Sequence, residues 1–244
     1  MTTTSESGYA KNLANFESLI ILIKALGSNY NPSKESIKVS ALEAILQEGK
    51  DIFTAFNSAK STYSISVDAQ QKAFKPLSPL ITRVNNALKA SGSTSENHKT
   101  AQTIIRKLQG RRAVAKLKDE EKKALEAEGK IINQISVSQM GYASRLDNFG
   151  QFISFLSTIS TYNPNEEDLK ITTLATFLSE LKAKNLDVTS SGIQMNMIRA
   201  TRNEVFKHPE RGIAKVASDA KTYVKSVFGA TSSQYKQIAK IAIR

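Results

Sequence analysis

Apolar residues recur at steps of three and four through Tyr9, Leu13, Phe16, Ile20 and Ile23, with Gly27 closing the run. That is the spacing of one helix face. The same pattern returns at Tyr142, Leu146, Phe149, Ile153 and Leu156. Leu42, Ile45, Leu46, Ile52, Phe53 and Phe56 outline a second helix, and a third is predicted to end at Phe74, with a counterpart ending at Phe206. A fourth carries Ile81, Val84 and Leu88, matched later by Ile213, Val216, Tyr223, Val224 and Val227. Gly92 and Gly229 stand where these helices should stop. Thr231 with Gln234 then opens a short terminal helix, and the closing "QIAKIAIR" suits either a helix or an extended strand.

The elements come in the same order twice. Aligning Gly8–Leu26 with Gly141–Ile159 gives seven identities in nineteen positions, including the phrases "GYAKNLANF" and "GYASRLDNF". "YNP" recurs at Tyr30–Pro32 and Tyr162–Pro164, "FKP" at Phe74 meets "FKHP" at Phe206, and "GSTS" at Gly92 meets "GATS" at Gly229. Each "YNP" reads as a helix start. Asn31 or Asn163 would cap the next helix, proline would take its first turn, and Glu166 would complete a capping box with Asn163. The expected fold is all-α: a tandem duplication of a four-helix-bundle-like unit, each copy closing its own core. Residues 1–110 form the first repeat, 111–136 a charged linker expected to be helical, and 137–244 the second repeat.

Charge narrows the partners. The chain has 34 basic and 22 acidic side chains, a net +12, and the excess falls after residue 50. Such a balance favours acidic partners, or serves solubility alone. The densest basic stretch, "RKLQGRRAVAKLK", places Arg106, Lys107, Arg111, Arg112, Lys116 and Lys118 together without an acid. It is the best candidate for contacting phosphates, although no aromatic residue interleaves to stack on bases. A solvated connector explains it as well.

A second polar cluster lies in "MIRATRNEVF", where Arg199, Arg202 and Glu204 sit beside Asn203 among apolar neighbours. Arginine paired with Glu204 or Asp147 inside a bundle is the expected role, with carboxylate recognition as the functional reading. The recurring Tyr9 and Tyr142, Asn15 and Asn148, and Phe16 and Phe149 read as packing at helix junctions. His98 and His208 read as cap or turn residues.

Reaction chemistry is scarce. Cysteine is absent, which removes disulfides, thiolate metal sites and cysteine nucleophiles together. No GxSxG elbow, Walker-type loop or dinucleotide GxGxxG occurs, so no catalytic residue, metal, cofactor or small-molecule substrate is assigned. The start "MTTTSES" lacks a basic, then apolar, leader, and the longest apolar run, "LIILIKAL", is too short to span a bilayer. A cytoplasmic location is expected.

"SQMGYASRLDNF", "YNPNEEDLK", "RNEVF" and "VKSVFGATSSQYKQ", with the basic "IIRKLQGRRA", resemble a group of bacterial duplicated all-helical proteins with no assigned function. The resemblance implies a shared fold and supplies no activity or site residue. The sequence therefore points to a non-enzymatic helical scaffold or interaction protein that binds a protein partner or further copies of itself. The alternative is a basic nucleic-acid-associated protein using the Arg106–Lys118 run; a membrane-active helical protein ranks lower.

Overall fold

The computed structural model describes residues 5–111 and 140–243, and every regular element among them is helical. In chain order these are α1 (Ser5–Ala25), α2 (Val39–Phe74), α3 (Leu77–Ala90), α4 (Ser95–Gln109), α5 (Tyr142–Ser157), α6 (Ile171–Lys207), α7 (Ile213–Phe228) and α8 (Ser233–Ala239). The apolar faces read from the sequence are largely the buried ones, although Val227, placed on such a face, is exposed. Tyr9, Leu13, Phe16, Ile20 and Ile23 of α1 are buried, as are Leu146, Phe149, Ile153 and Leu156 of α5.

Several expectations change. The helices foreseen on either side of Phe56 are one helix of 36 residues, α2, and its later counterpart α6 runs for 37. Residues 51–75 contain neither glycine nor proline, so nothing breaks the hydrogen-bond ladder even where the sequence turns polar on all sides. Pro76 and the His208–Pro209 pair follow the two ends.

The "YNP" segments do not cap a helix. The helices after them begin at Val39 and Ile171, and each loop first makes a 3-10 turn, at Glu35–Ile37 and Glu167–Leu169. A buried tyrosine closes each loop. The Tyr30 hydroxyl donates to the Ile37 carbonyl at 2.7 Å, and the Tyr162 hydroxyl donates to the Leu169 carbonyl at 2.8 Å. The backbone N–H of Asn31 donates instead to the Tyr223 hydroxyl. A seven-residue span held by a side chain outcompetes the local cap that Asn31 offered.

At the C-terminus, Ser232 rather than Thr231 caps α8, accepting from the Tyr235 N–H at 3.1 Å. Residues 240–243 form no strand. They are held by side chains, with Asn15 donating to the Ala242 carbonyl at 2.6 Å and Lys221 to that of Ile241. Burial lowers the Lys221 ammonium pKa.

The compact units cut across residues 1–110 and 137–244. One unit comprises Met1–Ser64 with Ser190–Arg244, and the other Ile65–Thr189. The first core joins Phe16, Leu19, Ile23 and Leu42 to Phe206, Ile213, Val216 and Val224. The second joins Phe74, Leu77, Ile81 and Leu88 to Phe149, Phe152, Leu156 and Leu174. Neither half of the chain closes a core alone, because α2 and α6 each begin in one unit and end in the other. Of the linker 111–136, all but Arg111 lies outside the described residues.

One close approach fixes the entry to α7. A Cβ on Gly212 would lie 2.6 Å from the His208 backbone nitrogen and 2.8 Å from its carbonyl oxygen. Backbone cannot swing aside as a side-chain tip can. Gly212→Ala is therefore expected to destabilise the protein by about 1–3 kcal/mol, the usual range for overpacking, measured by urea unfolding.

The two loop tyrosines carry a pH signature. Burial pushes both hydroxyls up to about 12, helped by Tyr223 beside Tyr30 and by Glu166 beside Tyr162. An unfolded tyrosine ionises near 10. The unfolded chain thus releases these protons first, so their contribution is complete below pH ~10 and is lost as pH rises through about 12. The double variant Tyr30→Phe/Tyr162→Phe should be less stable at neutral pH, because two buried carbonyls lose a donor. Its stability should also fall less steeply across that alkaline window, read from urea midpoints at several pH values.

Candidate functional site

The basic run is only partly in view. Arg106 and Lys107 occupy the last turn of α4, where cations favour the negative end of the helix dipole. Gly110, at φ 67°, turns the chain out of the helix, and the Arg111 N–H donates back to the Arg106 carbonyl at 2.8 Å. That bond closes a Schellman-type stop. Arg106 is half-buried and its Nε donates to the Gln102 carbonyl, while Lys107 and Arg111 are exposed. Arg112, Lys116 and Lys118 lie outside the described residues. The described part of the run is a capped helix end with two solvated cations.

The "RATRNEVF" cluster takes an unexpected form. Arg202 is buried, only 4 % exposed, and no carboxylate holds it among the described residues. Its guanidinium carbon lies 4.1 Å from the ring centroids of both Tyr9 and Phe56. Arg199 adds a longer contact to Phe56 at 5.8 Å, and Lys207 one to Tyr9 at 5.6 Å. The Tyr9 hydroxyl donates to Asn203 Oδ1 at 2.8 Å, and its ring meets Phe206 edge to face. Glu204 is exposed, and Asp147 accepts from Gln151 in the other unit, so neither serves as the expected ion-pair partner. Aromatic faces replace the carboxylate because a planar guanidinium stacks on them while losing its water. Its Nε and Nη1 have no hydrogen-bond partner among the described residues.

The second unit holds a related corner. Phe74 and Tyr142 pack edge to face with centroids 4.8 Å apart, and the Arg145 guanidinium lies 5.2 Å from the Phe74 centroid. Burial lowers the Arg145 pKa, and the neighbouring Tyr142 opposes that shift. Here the corner opens into a cavity of about 640 Å³ lined by Asp68, Gln71, Lys72, Phe74, Lys75, Tyr142 and Arg145. The sequence reading passed over Lys72, Lys75 and Arg145. The available signal was the pair of lysines flanking Phe74, with an arginine three residues after the recurring tyrosine.

Another hollow in this unit, about 430 Å³, is more apolar, with Pro76, Pro79, Leu80, Leu174 and Phe177 in its walls and the Arg83–Asp168 ion pair at its edge. Ser93 Oγ lies 2.8 Å from His98 Nε2, a spacing that suits a nucleophile and its base. The hydroxyl has one proton, however, and gives it to the Leu88 carbonyl at 2.6 Å. The imidazole must then donate to Ser93 rather than accept from it, so the pair caps α3. No group of three or more acidic or histidine side chains able to hold a metal occurs among the described residues.

No family model, curated protein or solved structure matches the chain. The site therefore rests on its own geometry, and its chemistry is that of cations held on aromatic rings.

Arg202→Lys tests the stacked arrangement. A lysine keeps the charge but loses the planar fork, so unfolding should require about 1–3 kcal/mol less. Arg202→Met, apolar and of similar length, should cost less than the lysine variant. Urea titration of both proteins checks the order, and a lysine variant at wild-type stability would contradict it.

Proposed function

We propose that this chain is a non-enzymatic helical scaffold whose long helices present apolar faces to a protein partner, further copies of the same chain included. In this reading the chain is a duplicated unit whose two copies have exchanged their later helices to complete each core. Several features support the duplication: the recurring phrases, the matched tyrosine-closed loops, and the paired Tyr–Phe corners. The resemblance to bacterial duplicated helical proteins agrees with it.

One observation carries the interaction role. On α6, Ile193 is 57 % exposed and Met197 is 66 % exposed, four residues apart on the same helix face. Two large apolar side chains stacked in water lose stability that a packed partner would restore. Met adapts its shape readily to a second surface. The nucleic-acid alternative is the lesser reading, because the described part of the basic run offers two solvated cations and no stacking ring.

Ile193→Lys/Met197→Lys should leave folding intact, since both side chains face solvent and lysine is a good helix former. The wild-type protein is expected to show concentration-dependent mass by light scattering, and the variant to remain monomeric over the same range. A wild-type protein that stays monomeric throughout would remove self-association. A crosslinked protein partner that binds both proteins equally would remove this face from the role.

A further inference from the structure

The cavity beside Phe74 combines three cations with one acid. Lys72, Lys75 and Arg145 line it against Asp68 alone, a local excess of two positive charges. None of the three cations forms an ion pair among the described residues, whereas lysines elsewhere, such as Lys24, Lys34 and Lys50, do. Lys72 and Lys75 are exposed at the end of α2, free to move toward a ligand.

Arg145 differs from them. It is half-buried over the Phe74 ring, and its Nε is shut off from solvent with no partner among the described residues. Contact with the ring and the burial of Nε hold the guanidinium in place before any ligand arrives, which lowers the ordering cost of binding. A planar, oriented fork flanked by two mobile ammonium groups is the donor set that suits a tetrahedral dianion: bidentate from arginine, point charges from lysine. Tyr142, also in the wall, adds a hydroxyl donor.

We propose that this cavity is an anion site that binds the phosphate group of a small phosphorylated molecule. The hollow is open to solvent and, at about 640 Å³, larger than one phosphate, which leaves room for the rest of a small ligand. In the first unit the buried arginine, Arg202, is instead closed between two rings. The inference is independent of the scaffold reading, since it concerns different residues and a different ligand.

Calorimetric titration of the full chain with inorganic phosphate at low salt tests it. Wild-type protein should bind one phosphate, and Lys72→Gln/Lys75→Gln should weaken binding by about tenfold or more, equivalent to about 1.4 kcal/mol. Arg145→Lys should weaken it as well, by loss of the fork, while Asp68→Asn should tighten it. Lys236→Gln, on α8 in the other unit, is the control for general charge. Circular dichroism keeps a folding defect apart from a binding one, and the two exposed lysines can be replaced without touching the core. Absence of phosphate binding at low salt would overturn the proposal, as would equal weakening by the Lys236 control. Glycerol phosphate binding at least as tightly as inorganic phosphate would support a small phosphorylated ligand. A site filled only by duplex DNA or anionic vesicles, with phosphate unable to compete, would refute it.

Discussion

An α-helix cannot fold back on itself, and that constraint organises this protein. At 1.5 Å per residue, a helix as long as α2 or α6 spans about 54 Å, so its two ends cannot serve one small core. Each must find apolar partners separately. The N-terminal turns of α2 bury Leu42 and Leu46 with α1 and α7, whereas Phe74 at its far end joins α3 and α5. Once the polar middles of these helices hold, each core is completed by segments from both halves of the chain.

Much of the fold was legible because it is local. The faces of α1 and α5 follow from spacing alone, and Gly92 and Gly229 mark helix ends with φ values of 73° and 84°. The continuity of α2 was hidden because residues 57–73 have no sustained apolar face; Ile65 is 68 % exposed there. A pattern method reads such a stretch as a break, although helix propensity without glycine or proline is enough to carry it. The "YNP" loops were misread for the opposite reason. Asn31 offered a plausible cap nearby, but a tyrosine bond spanning seven residues is not visible in local pattern.

The same distinction separates the two polar corners. Arg202 stood out as an arginine among apolar neighbours, and its burial followed. Its stacking partners did not, because Tyr9 and Phe56 are far away in sequence. Arg145 was overlooked since a single charge within a recurring phrase looks like ordinary surface drift. In both corners a ring takes the place that an acid usually fills, which leaves the net charge of +12 less neutralised locally than a salt-bridged helical protein would be. The described ion pairs are mostly solvent-exposed, as with Lys24–Glu43 and Lys50–Glu17, and contribute little to stability.

Because each interior draws on residues from both halves of the chain, severing the backbone anywhere between Arg111 and Met140 would not liberate two autonomous domains. Each fragment would carry half of two unfinished interiors, with oily surface left open until its complement arrived. Such a molecule is suited to reconstitution from separately made pieces, and its folding is tied to the meeting of segments distant along the chain.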